Sequence, residues 1–263
     1  KFNIDFNIGF GIDYESDGGL DVFPSIIATK YLVKDILLVS MGVQDDKYRN
    51  THKRLSDRNP FIYTLGTNQI IIKNDKSQDI RNTESKEIFF SFKNILSKNE
   101  TFNSTISYSK VENLPFFDID SDSDYRRFLV FYKDVRQFYL HSDYELKLNH
   151  LITLYADIDY YRWSEEISHK PNLILKGSSL INLRDKIVLS PYITYYSSQS
   201  SFTDNILMKL PAIFHFNLHL RYNYSKILSA YLELNNITNS KKEFWKDYES
   251  IGFNGLFGVT YSF

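Results

Sequence analysis

Cysteine is absent from all 263 residues, so disulfides, zinc–thiolate centres and thiol nucleophiles are excluded within this chain. An excess of charge is also lacking. With 31 Lys+Arg against 32 Asp+Glu the net charge is -1, and no global field draws the chain to nucleic acid or to an anionic surface. No apolar run approaches the roughly 18 residues that a transmembrane helix requires. The mean hydropathy of -0.34 would by itself suit a soluble protein. It does not decide the matter, because a barrel strand alternates lipid-facing with lumen-facing residues and averages to the same moderate polarity. A signal peptide is missing too, since Lys1 leads directly into an alternating strand. The expectation is that a leader was removed or that chain preceding Lys1 is missing.

Proline (6) and glycine (10) are scarce, whereas aromatic residues reach 16%, with 20 Tyr, 21 Phe and 2 Trp. Aromatic girdles at two membrane interfaces would use such a stock, and the same residues favour strands. From Phe2 to Ile12 the even positions are Phe, Ile, Phe, Ile, Phe and Ile, while Asn3, Asp5, Asn7, Gly9, Gly11 and Asp13 alternate with them. A period of two places the apolar set on one strand face. Phe214, Phe216, Leu218, Leu220 and Tyr222 repeat the pattern against His215, Asn217, His219, Arg221 and Asn223. That second face is too charged for a dry sandwich core. Further runs of this kind lie at 22–31, 35–43, 87–95, 101–111, 127–132, 138–147, 152–161, 172–182, 186–196, 227–237 and 252–263. They total thirteen segments with the two above, and 68–73 would make fourteen. The fold class expected is all-β: an antiparallel transmembrane β-barrel of about 13–14 strands, forming one domain over 1–263 with no plug domain.

The joins are unequal. Residues 96–100, 147–149, 182–185 and 224–226 are short connections, whereas 44–86, 112–126, 163–171, 197–209 and 238–251 are long and polar. Outer-membrane barrels have short periplasmic turns and long external loops. With Phe263 at the periplasmic side, counting backwards places each short join there. One conflict arises at 133–136, where a tight turn would fall on the external side and make 112–126 periplasmic. It disappears if 127–132 is the arm of an external hairpin and not a crossing.

The final strand is the most specific signal: Phe257, Val259, Tyr261 and Phe263 share a face and the chain stops on an aromatic. This is the form of an assembly signal read by barrel-assembly machinery, which with outer-membrane lipid is the partner expected, alongside other outer-membrane subunits. Candidate lumen-facing residues are Asp143, Glu145, Asp157, Asp159, Lys176, His215, His219, Arg221 and Glu233. Such a mixed-charge lining would bind or pass a hydrophilic solute, or would pair internally in a filled barrel. His141 with Asp143, or His215 with His219, would suit an acid–base pair or metal ligands. No Gly-x-Ser-x-Gly or His-Glu-x-x-His motif accompanies them, so no catalytic residue, metal or cofactor is assigned. Asp118, Asp120, Asp122 and Asp124 have an oxygen-rich spacing, but Ser123 and Leu129 stand where a helix–loop–helix calcium site needs Gly and Glu. A solvated acidic loop is expected. The loop aromatics Phe116, Phe117, Trp163, Phe244, Trp245 and Tyr248 would stack on a glycan or a protein, anchor at the interface, or pack loop on loop.

Several stretches together resemble a known family. They are Gly42-Val43, Asn50-Thr51, Asn59-Pro60-Phe61, Leu114-Pro115-Phe116-Phe117, Lys170-Pro171-Asn172, Asp185-Lys186, Tyr224-Ser225-Lys226, Leu234-Asn235-Asn236-Ile237, Trp245 and the terminal Gly258-Val259-Thr260-Tyr261-Ser262-Phe263. The chain is similar in these to the TonB-dependent-receptor-like outer-membrane barrels of Bacteroidota, most closely over its last forty residues. The resemblance implies a bacterial outer-membrane location, a barrel fold, and a chain that is the C-terminal part of a larger barrel. It further implies transport or binding of a solute through a polar lumen. The alternative is a non-transporting scaffold or accessory subunit of an outer-membrane assembly, and a barrel enzyme is a weaker third reading.

Overall fold

A computed structural model describes residues 4–14, 19–62, 64–65, 69–72, 76–119, 127–203 and 206–263. Twelve strands follow one another in an antiparallel path in which every neighbour in sequence is a neighbour in space. They are β1 (Asp5–Tyr14), β2 (Leu20–Val33), β3 (Leu37–Tyr48), β4 (Thr83–Ser97), β5 (Glu100–Ile119) and β6 (Phe128–Lys147), then β7 (Ile152–Trp163), β8 (Leu173–Leu183), β9 (Ile187–Tyr196), β10 (Ile213–Asn223), β11 (Leu228–Asn235) and β12 (Asn254–Tyr261). Among the described residues β1 and β12 do not pair with each other, so the twelve form an open wall with two edges.

The sheet has fourteen strands, within the expected 13–14, but two of them, Gln199–Thr203 and Ile206–Leu210, form a hairpin off this path, so the twelve wall strands are not the segments expected one for one. Segments 127–132 and 138–147 are one 20-residue strand, β6, which pairs along its length with the 20-residue β5 apart from the bulge. The polar run at 133–136 is therefore no turn. Lys133 lies opposite Leu114 and Arg136 opposite Lys110, and the ladder absorbs a bulge between Val111 and Leu114 where Asn113 takes φ 52°. The arm 127–132 extends the hairpin beyond the length of a membrane crossing, which needs only about 9–11 residues. Segment 68–73 adds no wall strand. Its Gln69–Ile72 pairs with Thr64–Leu65 and Lys76–Asp79 in a separate three-stranded sheet inside the β3–β4 connection.

The two ends of the wall differ. Connections 34–36, 98–99, 148–151, 184–186 and 224–227 lie at one end and are tight. The β8–β9 turn shows why: Arg184 and Asp185 both take positive φ (55° and 56°), Lys186 N–H donates to Leu183 C=O at 3.1 Å, and Asp185 N–H to Asn182 Oδ1 at 3.0 Å. Two successive positive φ values give the twist that matches right-handed flanking strands. Connections 49–82, 164–172, 197–212 and 236–253 rise from the other end. The first contains the helix α1 (His52–Arg58), whose N-cap Thr51 accepts a hydrogen bond from Arg54 N–H.

Register makes one wall face apolar from edge to edge. One row runs Ile8, Ile26, Val43, Ile88, Tyr108, Phe138, each opposite the next. On the far half Ile193 stands opposite Phe216, Leu220 opposite Leu232, and Leu232 opposite Phe257. These side chains are not covered by protein: Ile8 is 74% and Phe257 69% exposed. A single-layer wall has no second sheet to bury them, so their burial needs another apolar medium. The packed core lies elsewhere, at the long-connection end. Leu55, Ile62, Phe117, Phe128 and Val130 form one buried cluster, and Val111, Leu114, Val135 and Ile167 a second.

Candidate functional site

The opposite face of the wall is polar, and registers bring its residues into rows. Asn103, Asp143, Asp157, Lys176, Thr194 and His215 lie side by side on six consecutive strands, β5 to β10. One step along, Thr105 faces His141 and His141 faces Asp159. Asn103 Nδ2 donates to Asp143 Oδ2 at 2.6 Å, and Lys176 Nζ lies 3.1 Å from Asp157 Oδ1 and 3.7 Å from Asp159 Oδ2. Asp159, 8% exposed, also accepts the Tyr139 hydroxyl at 2.7 Å and contacts His141 Nδ1 at 2.9 Å. A carboxylate so buried is held by charge-assisted hydrogen bonds and a nearby ammonium, not by water.

The remaining sequence candidates sit apart from this cluster. Glu145 is opposite Tyr155 and 3.3 Å from Lys147 Nζ. His219 faces Glu233, and Arg221 faces Tyr231, nearer the tight-turn end. His215 and His219 are four residues apart on β10, about 13 Å along an extended strand, so they do not share one metal ion. His141 does come together with Asp157 and Asp159, their ligand atoms lying within 4.8 Å of one another. The Lys176 ammonium already supplies positive charge to both carboxylates. Phe257, Val259 and Tyr261 lie on the apolar face of the last strand, at 69%, 60% and 54% exposure, and Phe263 follows edge-on to Tyr261 at 5.2 Å.

Sequence reasoning did not find the aromatic ladder that climbs from this cluster towards the long connections. Tyr139 stacks on Tyr161 at 4.8 Å, Tyr161 on Trp163 at 5.8 Å, and Tyr139 lies 6.2 Å from the His141 ring. The signal was available, since aromatic residues two apart on adjacent strands must share a face. Above the ladder is a polar hollow of about 420 Å³, bordered by Tyr161, Trp163, Glu166, Lys170, Gln199 and Lys209.

The long connections converge over the β5–β6 hairpin. Phe61 from the β3–β4 connection stacks on Tyr248 from the β11–β12 connection at 3.6 Å. The roots of those two connections are eight strand steps apart, about 38 Å along the wall at ~4.8 Å per step. Trp245 meets Phe117 and Phe128, each at 5.4 Å, and Phe244 meets Tyr196 at 5.3 Å. Of the alternatives for the loop aromatics, packing of loop on loop is seen for Tyr248 on Phe61 and Trp245 on His169, whereas Phe117 lies in β5 and Phe244 packs on Tyr196 of β9. His169, 4% exposed, is the hydrogen-bonded centre: Nδ1 is 2.9 Å from Phe117 C=O, and Lys246 N–H donates to Nε2 at 3.3 Å. Those partners require a neutral ring with the proton on Nδ1, and burial pushes its pKa down to about 4. Burial raises Asp118 to about 6, against opposing hydrogen bonds from Ser168 and the Phe202 N–H. Asp120, Asp122, Asp124 and Ser123 lie outside the described residues.

A wall with one apolar and one polar face, tight turns at one end and long connections at the other, defines the transmembrane antiparallel sheet class. No family model matches the chain, and no curated protein matches it in sequence. Solved structures do match. The siderophore receptor PirA from Acinetobacter baumannii is 13% identical, with a TM-score of 0.71 over 99% of this chain and 43% of that one. The ferric enterobactin receptor PfeA from Pseudomonas aeruginosa, in complex with enterobactin, gives 13% identity and a TM-score of 0.69, with coverage of 99% and 43%. The pyoverdine outer membrane receptor FpvA from Pseudomonas aeruginosa PAO1 gives 12% and 0.67, with 98% and 40%. The fold is that of outer-membrane receptor barrels, and the chain spans less than half the length of these structures.

Proposed function

We propose that the chain is the wall of a bacterial outer-membrane receptor-type barrel that binds a hydrophilic solute and admits it along its polar face. The apolar face meets lipid, the tight turns are periplasmic, and the long connections are external. The observation that carries this reading is the row Asp143–Asp157–Lys176–Thr194–His215, unbroken from β6 to β10 behind a continuous apolar face. Placing charged and polar groups on five successive strands is costly unless they line water or a polar ligand. The matched structures are receptors for siderophores and related solutes, and this supports a transport role at the level of class. The chain's role is binding and passage, with no catalytic residue, and its sequence motifs support placing it with the TonB-dependent-receptor-like barrels of Bacteroidota. The nine sequence candidates form the lumen lining, and the last strand with Phe263 is the signal for barrel-assembly machinery.

The chain contains no cysteine, so the test uses the full-length protein in intact cells with any cysteine outside these 263 residues replaced by serine. A hydrophilic maleimide added outside is expected to label Thr194→Cys, on the polar face, and to leave Ile193→Cys, on the apolar face, unlabelled. Reagents of increasing size then measure the width of the path. Failure of even the smallest reagent to reach position 194 refutes a solute path. That result, with other membrane subunits retained after gentle extraction, would establish the scaffold alternative, which the loop-on-loop packing of Phe61 and Tyr248 favours.

A further inference from the structure

The outer boundary of the apolar face is not uniform. On β5, β6 and β7 the apolar rows end in Tyr108 opposite Phe138, with Tyr160 one row below. Immediately beyond, on the same face, Lys110 lies opposite Arg136, and Arg162 stands opposite Phe138. Arg136 and Ser164 exchange hydrogen bonds, Ser164 N–H to Arg136 C=O at 2.9 Å and Arg136 N–H to Ser164 Oγ at 3.0 Å. That pairing extends β7 along β6 and makes Arg136 and Arg162 diagonal neighbours, within reach of one small anion. Both arginines border a hollow of about 480 Å³ whose other walls are Tyr108, Phe138, Tyr160, Trp163 and Ser164.

The charges in this corner are not all spent on each other. Lys110 Nζ is 2.5 Å from Glu112 Oε1, and Asp134 accepts Asn113 N–H at 2.8 Å. Among the described residues, the exposed side chains of Arg136 and Arg162 have no ion-pair partner. At the corresponding boundary on β8 to β11 stand Leu173, Tyr195, Phe214 and Leu234, so the basic corner is local and not a general rim. An arginine that merely reaches for water needs neither a second guanidinium nor an aromatic-walled hollow beside it.

We infer that this corner is a binding site for a lipid of the outer leaflet with a phosphate-bearing headgroup. The phosphate is held between the Arg136 and Arg162 guanidinium groups, and an acyl chain lies along Tyr108, Phe138 and Tyr160. Guanidinium binds phosphate through two parallel hydrogen bonds, and the aromatic floor continues the hydrocarbon surface. The inference rests on the membrane orientation proposed above.

The test uses the full-length protein in non-ionic detergent, with phosphatidic acid and phosphatidylcholine of the same chain length as probes and native mass spectrometry as readout. Wild-type protein is expected to retain phosphatidic acid roughly tenfold better than phosphatidylcholine, as suits two charge-assisted contacts. Arg136→Gln with Arg162→Gln should abolish that preference, and Arg136→Lys with Arg162→Lys should keep part of it. Inorganic phosphate in large excess should not displace the lipid, because the acyl chain contributes to binding. The inference is overturned if wild type shows no preference, if the double Gln variant keeps it, or if free phosphate competes. A circular-dichroism melt shared with wild type establishes that the variants fold, and the lysine pair serves as the second variant if the Gln pair does not. Labelling of Lys241→Cys from outside intact cells checks the orientation separately. Failure there sinks the orientation and with it the outer-leaflet assignment, whereas the preference for a phosphate-bearing lipid is read separately in detergent.

Discussion

Acidification should act on the cluster of external connections through two buried groups with opposite signs. His169 has a native pKa of about 4, below its ordinary 6.5. The stability it confers is present above pH 6.5 and is lost as the pH falls towards 4. Asp118 has a native pKa of about 6, above its ordinary 3.8, so its buried charge strains the native state above pH 6 and acidification relieves it. Between pH 7.5 and 4.5 linkage gives a loss of roughly 2–3 kcal/mol from His169 and a gain of about 2 kcal/mol from Asp118. The wild-type cluster should therefore change little. Asp118→Asn removes the compensating group, and the same acidification should raise the open population on the order of a hundredfold. His169→Gln leaves only Asp118 and should make the cluster tighten. Hydrogen exchange of residues 164–172 and 236–253, corrected for intrinsic rates, measures both. Variants that shift in the same direction, or a wild type that loosens as much as Asp118→Asn, would refute the assignment of these two groups as the opposing titrations.

Three further outcomes are expected. Phe128, fully buried between His169, Trp245 and Tyr248, should when replaced by Ala cost the cluster about 3–5 kcal/mol. Proteolysis of 236–253 should accelerate while the thermal transition of the wall stays in place. Gly42→Ala should destabilise the β2–β3–β4 region by about 1–3 kcal/mol, because an added Cβ would lie 2.6 Å from Ile26 C=O and 3.1 Å from the Phe89 ring. Gly9→Ala, with nothing within 4 Å of the added carbon, should leave the melting temperature unchanged. Ile193→Arg should lower the folding free energy in lipid vesicles by about 2–4 kcal/mol if its face meets the bilayer core, whereas Thr194→Arg should be tolerated.

Much of the wall was legible because a strand's facing depends only on a two-residue period. Asp143, Asp157, Lys176 and His215 were placed on one face from local alternation, and the registers put them in one row. Turn positions were readable for the same reason, as at Asn182–Lys186, where two residues and an Asn side chain close the hairpin. Alternation misled at 133–136. A polar run there looks like a turn, yet Lys133 and Arg136 stay in the ladder because β5 supplies a partner for each and takes up the mismatch as a bulge.

Local pattern by itself thus determined the strand faces, the polar and apolar sides of the wall and the inequality of its two ends. Only the tertiary structure decided that β6 is continuous, that Arg136 and Arg162 flank one hollow, and that Phe61 meets Tyr248 beside a buried His169. The physical reason is range. Facing is set by residues two apart, whereas Phe61 and Tyr248 are brought together by the accumulated register of eight strand pairings and by the folding of two connections. No local pattern encodes that sum.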